Sequence, residues 1–172
     1  MSGLYTIPLN GLKDGSYSYD FEMGSDFFAG YEGSQIGECN LKLKVVLEKV
    51  SAHYNLRLVL TGSVLVTCDR CLGEYWLETE SENRLVVKTG EEYDDSDAEL
   101  LIIPAGLSEL DLSQLIYDYS HLALPIRRVH PDGPEGKSQC DPEMLKRIAN
   151  VGEADDENRP EWDKLKELLH KN

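Results

Sequence analysis

Cys39-Asn40-Leu41-Lys42-Leu43-Lys44-Val45-Val46-Leu47-Glu48-Lys49-Val50 decides the fold. Cys39, Leu41, Leu43, Val45 and Leu47 fall on one face of an extended chain, and Lys42, Lys44 and Glu48 on the other. Alternation of this kind marks a half-buried strand. After a short turn at Ser51-Ala52-His53, Leu56, Leu58 and Leu60 resume the pattern around Arg57 and Val59. The two stretches therefore predict an antiparallel hairpin.

Toward the amino terminus, residues 17–21 alternate Tyr, Tyr and Phe with Ser and Asp, and residues 4–9 are short and apolar. Residues 24–37 read as a Gly/Ser-rich loop with Phe27, Phe28 and Tyr31 packed beneath it. Downstream, Thr61-Gly62 opens a strand over 64–68, and further short strands are expected over 74–79 and 85–88. Residues 91–99, EEYDDSDAE, form an acidic loop that no core would accept. Residues 100–104 read as an edge strand closed by proline.

The period then changes. Leu112, Leu115, Ile116, Tyr119, Leu122 and Ala123 recur at helical spacing, with Asp111 at the expected N-cap and Gln114 completing a variant capping box. Pro125 stops that helix. Asp141-Pro142 starts another through about Ala149, proline taking the first helical position. Residues 150–158 form an acidic linker, and 160–169 a final helix with Trp162, Leu165, Leu168 and Leu169 on one stripe. Strands first and helices last predict an α+β fold: a twisted antiparallel sheet or partly closed β-barrel followed by short C-terminal helices.

A chain of 172 residues is long enough for one substantial core and short for two ordinary domains. The expectation is a single α+β domain over 1–149, with 150–172 as linker and terminal helix. No apolar stretch approaches the roughly 20 residues that span a bilayer. Residues 1–10 lack a basic segment leading into an apolar one, so they do not read as a signal peptide. A cytoplasmic protein with no membrane partner is expected. The 17 basic and 32 acidic residues leave a formal charge of −15. Such a chain repels nucleic acid at long range unless its cations cluster, and favours basic partners instead.

Of four cysteines, Cys68 and Cys71 form the one motif with chemical shape, C-x-x-C on a tight turn between predicted strands. Two thiolates so placed suit a zinc knuckle. A thioredoxin-type pair would sit at a helix N-terminus, and no helix follows Cys71. His130 and Cys140, flanking a Gly/Pro-rich loop, are the natural further ligands for structural zinc. Cys39 is an alternative ligand, although it continues the inward face of its strand. Metal-free structural cysteines remain the competing reading.

The sequence has no glycine-rich phosphate cradle, no G-x-S-x-G elbow and no H-E-x-x-H pair, so no nucleotide cofactor or enzymatic activity is expected. His53, His121 and His170 lie at a turn, near a helix end and at the chain end, where they serve as surface or cap residues.

Three stretches together resemble the YceD-like family, the large ribosomal RNA subunit accumulation proteins. They are Gly62-Ser63-Val64-Leu65-Val66-Thr67-Cys68-Asp69-Arg70-Cys71-Leu72, then Leu110-Asp111-Leu112-Ser113-Gln114-Leu115-Ile116 running to Leu122-Ala123-Leu124-Pro125, and the closing residues 160–168. The resemblance implies a cytosolic factor in accumulation or processing of large-subunit ribosomal RNA, with no established catalytic activity. Cys68, Cys71 and Cys140 match family cysteines by position. Many members carry further downstream cysteines as C-x-x-C, where this chain has Cys140 alone, with His130 upstream.

Three functional readings follow. The first is a non-enzymatic accessory factor in ribosome biogenesis that contacts basic ribosomal or RNA-processing proteins, or a pre-ribosomal ribonucleoprotein. The second is a direct RNA-binding module with a zinc knuckle, using Lys42, Lys44 and Arg57 on one sheet face and Arg70, Arg127 and Arg128 near the cysteine turn. The third is a metal- or thiol-dependent enzyme, which needs an open coordination position or a low-pKa thiol.

Overall fold

A computed structural model describes residues 4–134 and 136–154, with backbone alone described for 151–154. The strands are β1 (Thr6–Pro8), β2 (Gly15–Gly24), β3 (Cys39–Val50), β4 (His53–Thr67), β5 (Glu74–Gly90), β6 (Asp94–Asp97), β7 (Leu100–Pro104) and β8 (Glu109–Asp111). The helices are α1 (Ser25–Ala29), α2 (Ser113–Leu122) and α3 (Pro142–Ala154). Two compact units result: residues 4–66 with 76–126, and residues 67–75 with 127–154. The boundary expected at residue 149 falls inside α3. The helix expected over 160–169 lies outside the described residues.

The first unit is built on a six-stranded sheet in the order β2-β3-β4-β5-β7-β6, with β1 and β8 as a separate antiparallel pair. The expected α+β class holds. The sheet ends at β2 and β6 and does not close into a barrel. The sheet is also mixed, because β5 and β7 run parallel. β3 pairs with β4 along its whole length, from Cys39 opposite Val64 to Val50 opposite His53. Leu43 faces Leu60, Val45 faces Leu58 and Leu47 faces Leu56, all buried. Leu85 and Val87 on β5, Leu101 and Ile103 on β7, and Leu112 and Ile116 at α2 complete the apolar interior.

Several expectations change in detail. β7 is not an edge strand; it lies between β5 and the acidic β6. Its unbroken Leu-Leu-Ile-Ile run suits a strand beside a parallel neighbour, with Leu101 and Ile103 buried and Leu100 and Ile102 half-buried. Part of the expected acidic loop is β6 itself, every residue of which is exposed. The strands expected over 74–79 and 85–88 are one continuous β5. The polar residues between them are bonded, with Glu82 taking the Arg57 guanidinium at 2.8 and 2.6 Å.

The loop expected over 24–37 contains the short α1, whose Phe28 is fully buried. Phe27 meets Phe28 and Tyr5 edge-on, and Tyr31 stacks on Tyr117 at 4.3 Å. The aromatics are packing, as read. His121 joins this cluster: its Nδ1 lies 2.9 Å from the Tyr117 carbonyl oxygen, and Nε2 accepts the Gln35 N–H at 3.3 Å. At the start of α2, Leu112 takes the N-cap position. Asp111 still supplies the capping oxygen, accepting the Ser113 N–H at 2.8 Å. Gln114 reaches forward to Asp118 rather than back, so the capping box does not close.

β4 also runs straight through the expected break at Thr61-Gly62, because Gly62 adopts φ +143°. A Cβ placed there would run into the Asn40 carbonyl oxygen on β3. Glycine thus permits close strand approach where any side chain would force the pair apart. Gly62→Ala is expected to cost about 2 kcal/mol or more by denaturant unfolding. Gly37→Ala, which meets nothing within 4 Å, should change stability little. Equal effects of the two substitutions would remove the steric account.

Candidate metal centre

Among its described residues the second unit buries few apolar side chains, and that interior is mainly sulfur. Cys68, Cys71 and Cys140 are 0, 5 and 2% exposed, packed against Tyr75, Val129, Met144 and Leu145. Cys68 and Cys71 sit on the turn that joins β4 to β5. That turn is held by Cys68 N–H to the Gly73 carbonyl and Leu72 N–H to the Cys68 carbonyl, both at 2.9 Å. Leu72 takes a left-handed conformation, φ 60°, to close it.

The 127–140 segment is anchored to this turn by two reciprocal bonds. The Asp69 N–H donates to the Arg128 carbonyl at 2.7 Å, and the Arg128 N–H donates to Asp69 Oδ2 at 2.6 Å. Cys140 is placed by the next element. Its N–H donates to Ser138 Oγ at 3.2 Å, and Asp141 then caps α3 through the Glu143 N–H at 2.8 Å. Pro142 occupies the first helical position, as the sequence predicts.

The outcome is a four-ligand cluster. One ligand atom from each of Cys68, Cys71, His130 and Cys140 lies within 4.8 Å of every other. Cys68 Sγ is 3.7 Å from Cys140 Sγ. His130 Nδ1 is 3.3 Å from Cys71 Sγ and 3.8 Å from Cys140 Sγ. A tetrahedral ion with about 2.3 Å thiolate bonds and about 2.0 Å imidazole bonds sets sulfur–sulfur edges of about 3.8 Å and sulfur–nitrogen edges of about 3.5 Å. The separations of the thiols and the imidazole match such a set. Tyr75 lies over the His130 ring, centroids 4.6 Å apart, and fixes its plane.

The turn also favours thiolate. Burial raises the Cys68 thiol pKa, but N–H groups of Cys71, Arg70 and His130 and the His130 ring outweigh it, bringing the value to about 5. The Arg70 N–H lies 3.4 Å from Cys68 Sγ. Cys140 moves the other way: the Ser138 hydroxyl lowers it, while burial and the neighbouring Cys68 and Cys71 push it up further. Backbone donors aimed at one sulfur thus prepare it as an anionic ligand before any partner arrives.

All four expected ligands converge, and Cys39 is not among them. It lies on β3, 3.9 Å from the Met23 carbonyl, with its pKa raised by burial to about 11. The basic candidates separate into two sets. Lys42, Lys44 and Arg57 share the exposed sheet face in the first unit, but acids accompany them. Lys42 pairs with Glu22 at 3.3 Å, Lys44 stands opposite Asp20, and Arg57 holds Glu82. Alternation alone could not show those acids, because they come from strands paired across the sheet. In the second unit Arg127 is exposed, and Arg70 Nη1 is 3.5 Å from Ser138 Oγ. Arg128 Nε is buried without a hydrogen-bond partner among the described residues. Among the described residues no helix is long and apolar enough to cross a membrane.

These features define an α+β protein with an open mixed sheet and a three-cysteine, one-histidine ligand cluster. The profile of the YceD family, described as large ribosomal RNA subunit accumulation protein YceD, matches residues 56–169, and the chain belongs to that family. No curated protein and no solved structure matches.

The two Asp69–Arg128 bonds assign Asp69 a structural task beside the ligands. Asp69→Ala removes the charged acceptor of the Arg128 N–H, at a solvent-accessible bond, and is expected to cost about 1 kcal/mol. Thermal unfolding of Asp69→Ala and Asp69→Asn tests this. The amide variant retains an acceptor oxygen and should recover much of the loss; no loss in either would remove the anchor.

Proposed function

We propose that this protein is a non-enzymatic accessory factor in accumulation and processing of large-subunit ribosomal RNA. It acts in the cytoplasm through contacts with basic proteins or with a pre-ribosomal particle. Membership of the YceD family supports the process, and a formal charge of −15 supports the class of partner.

In this reading Cys68, Cys71, His130 and Cys140 hold structural zinc. The observation that carries it is the convergence of these four side chains within 4.8 Å in a unit whose described interior is mainly sulfur. Small units need a staple, and a metal held by four protein ligands provides one while leaving no position for a substrate. The ion supplies cross-linking of the 68–71 turn to the 130–140 segment and neutralises the thiolates gathered there.

Direct RNA contact is the second reading, and charge distribution favours it for the second unit only. Its described residues balance basic Arg70, Arg127, Arg128, Lys137, Lys146 and Arg147 against an equal number of acids, so the excess of negative charge belongs elsewhere in the chain.

The purified full-length protein is expected to contain one equivalent of zinc. Cobalt substitution should give the visible bands of a tetrahedral sulfur-rich site. Chelation should lower Tm and expose thiols to a colorimetric reagent, and Cys68→Ser should do both without chelator. Metal-free protein with an unchanged Tm after chelation would overturn the staple. The function itself is tested by affinity capture of the tagged protein from its own cells. Large-subunit assembly proteins that persist after RNase treatment are expected. Their loss on RNase treatment favours the RNA reading, and absence of large-subunit components altogether rejects both.

A further inference from the structure

A cleft of about 470 Å3 lies in the first unit between α2 and the 93–98 segment. Its walls are apolar: Leu101 is buried, Leu115 and Tyr119 are half-buried, and Leu122 and Tyr93 remain 77 and 55% exposed. Leu122 and Tyr93 thus place two exposed apolar side chains at one cleft. Asp95, Asp97, Asp111 and Asp118 also line the cleft.

Those four carboxylates differ from the acids of the sheet face. Glu22 and Glu82 each have a cation within 3.3 Å. Among the described residues no Lys or Arg pairs with any acid of the cleft. Their bonds go to neutral donors: Asp97 takes the Glu99 N–H, Asp111 takes the Ser113 N–H, and Asp118 takes the Gln114 amide. A cleft lined both by apolar side chains and by carboxylates without a cationic partner complements one chemistry, a cationic segment that also carries an apolar side chain. The volume suits a few side chains of one segment and is far too small for a folded domain. RNA offers neither the apolar anchor nor the positive charge.

We propose that this cleft is a docking groove for a lysine- or arginine-rich protein segment that inserts a leucine-sized side chain between Leu115 and Leu122, its cations meeting Asp95 and Asp118. The proposal deepens the reading of the chain as a factor that works through basic proteins, and rests on it for biological purpose. The groove chemistry can be tested without any ribosomal component.

The full-length, metal-replete protein is titrated with three probes: a helix-forming Leu/Lys peptide, its Leu-free Lys/Ala counterpart, and a short RNA oligonucleotide. Amide shifts are followed by NMR. The Leu/Lys peptide is expected to shift amides over 93–98 and 111–122, and to bind at least about tenfold more tightly than the Leu-free peptide. Asp95→Asn with Asp118→Asn should weaken it at least about tenfold, and Leu122→Ser separately by a similar factor. Glu32→Gln with Glu38→Gln, exposed acids outside the cleft, should change it little.

Equal weakening by the cleft and control variants, or equal binding of both peptides, would reduce the effect to net charge and overturn the proposal. So would RNA shifting the same amides. Shifts of the cleft amides on Leu165→Ser with Leu168→Ser, in the absence of peptide, would assign the cleft to the chain's own carboxy-terminal segment and overturn the partner. A failed titration leaves the capture experiment to stand alone, and failed capture leaves the titration to decide the groove, so the two failures are distinguishable.

Discussion

The register of β3 against β4 is the constraint on which the first unit depends. Side chains alternate along a strand, so a slip of one residue would carry Lys42, Lys44 and Glu48 inward and expose Leu41, Leu43, Val45 and Leu47. Burying three charges without partners costs far more than any local rearrangement could return. The turn at Ser51-Ala52 pins one end of the pairing, and the steric fit of Gly62 against Asn40 pins the other. Between those points every opposed pair has one possible partner. β2 and β5 take their alignment from this hairpin, which is why the outward acids Glu22 and Glu82 meet the outward cations Lys42 and Arg57.

The second unit solves a different problem. Its described residues bury few large apolar side chains, and their ordering relies on polar bonds around sulfur. The Asp69–Arg128 pair, the Ser138 contact to Cys140 and the Asp141 cap each fix a segment that carries a ligand. Such bonds are directional where apolar packing is not, so side chains from two segments far apart in sequence reach a common point. Tyr75 and Met144 close around them and lower the local dielectric, which strengthens every charge interaction within.

Legibility in the sequence followed the range of the interactions concerned. The β3–β4 hairpin and α2 were readable because alternation and helical spacing are local. The three-cysteine, one-histidine set was readable because C-x-x-C on a turn needs partners and few remained. Where pairing is remote the reading fell short. The apolar run of β7 was placed at an edge, since nothing local shows that β5 runs parallel beside it. β5 was read as two strands because the bond between Glu82 and Arg57 spans the sheet. The acids that accompany Lys42 and Arg57, and the cleft beside α2, arise only when distant strands and loops meet.

The placement of β6 bears on how the protein behaves when crowded. A sheet that stays open exposes unpaired backbone groups, and an edge strand invites another molecule to continue the ladder. Here one edge is the strand Asp94-Asp95-Ser96-Asp97, whose side chains are all exposed. A second copy approaching it would bring like charges into direct opposition, so growth by strand addition is discouraged at that end. The Ser96 N–H, bonded to Asp94, holds that carboxyl below its ordinary pKa and keeps the charge in place as the medium acidifies. The acidic segment thus acts as a chain terminator at one edge of the open sheet.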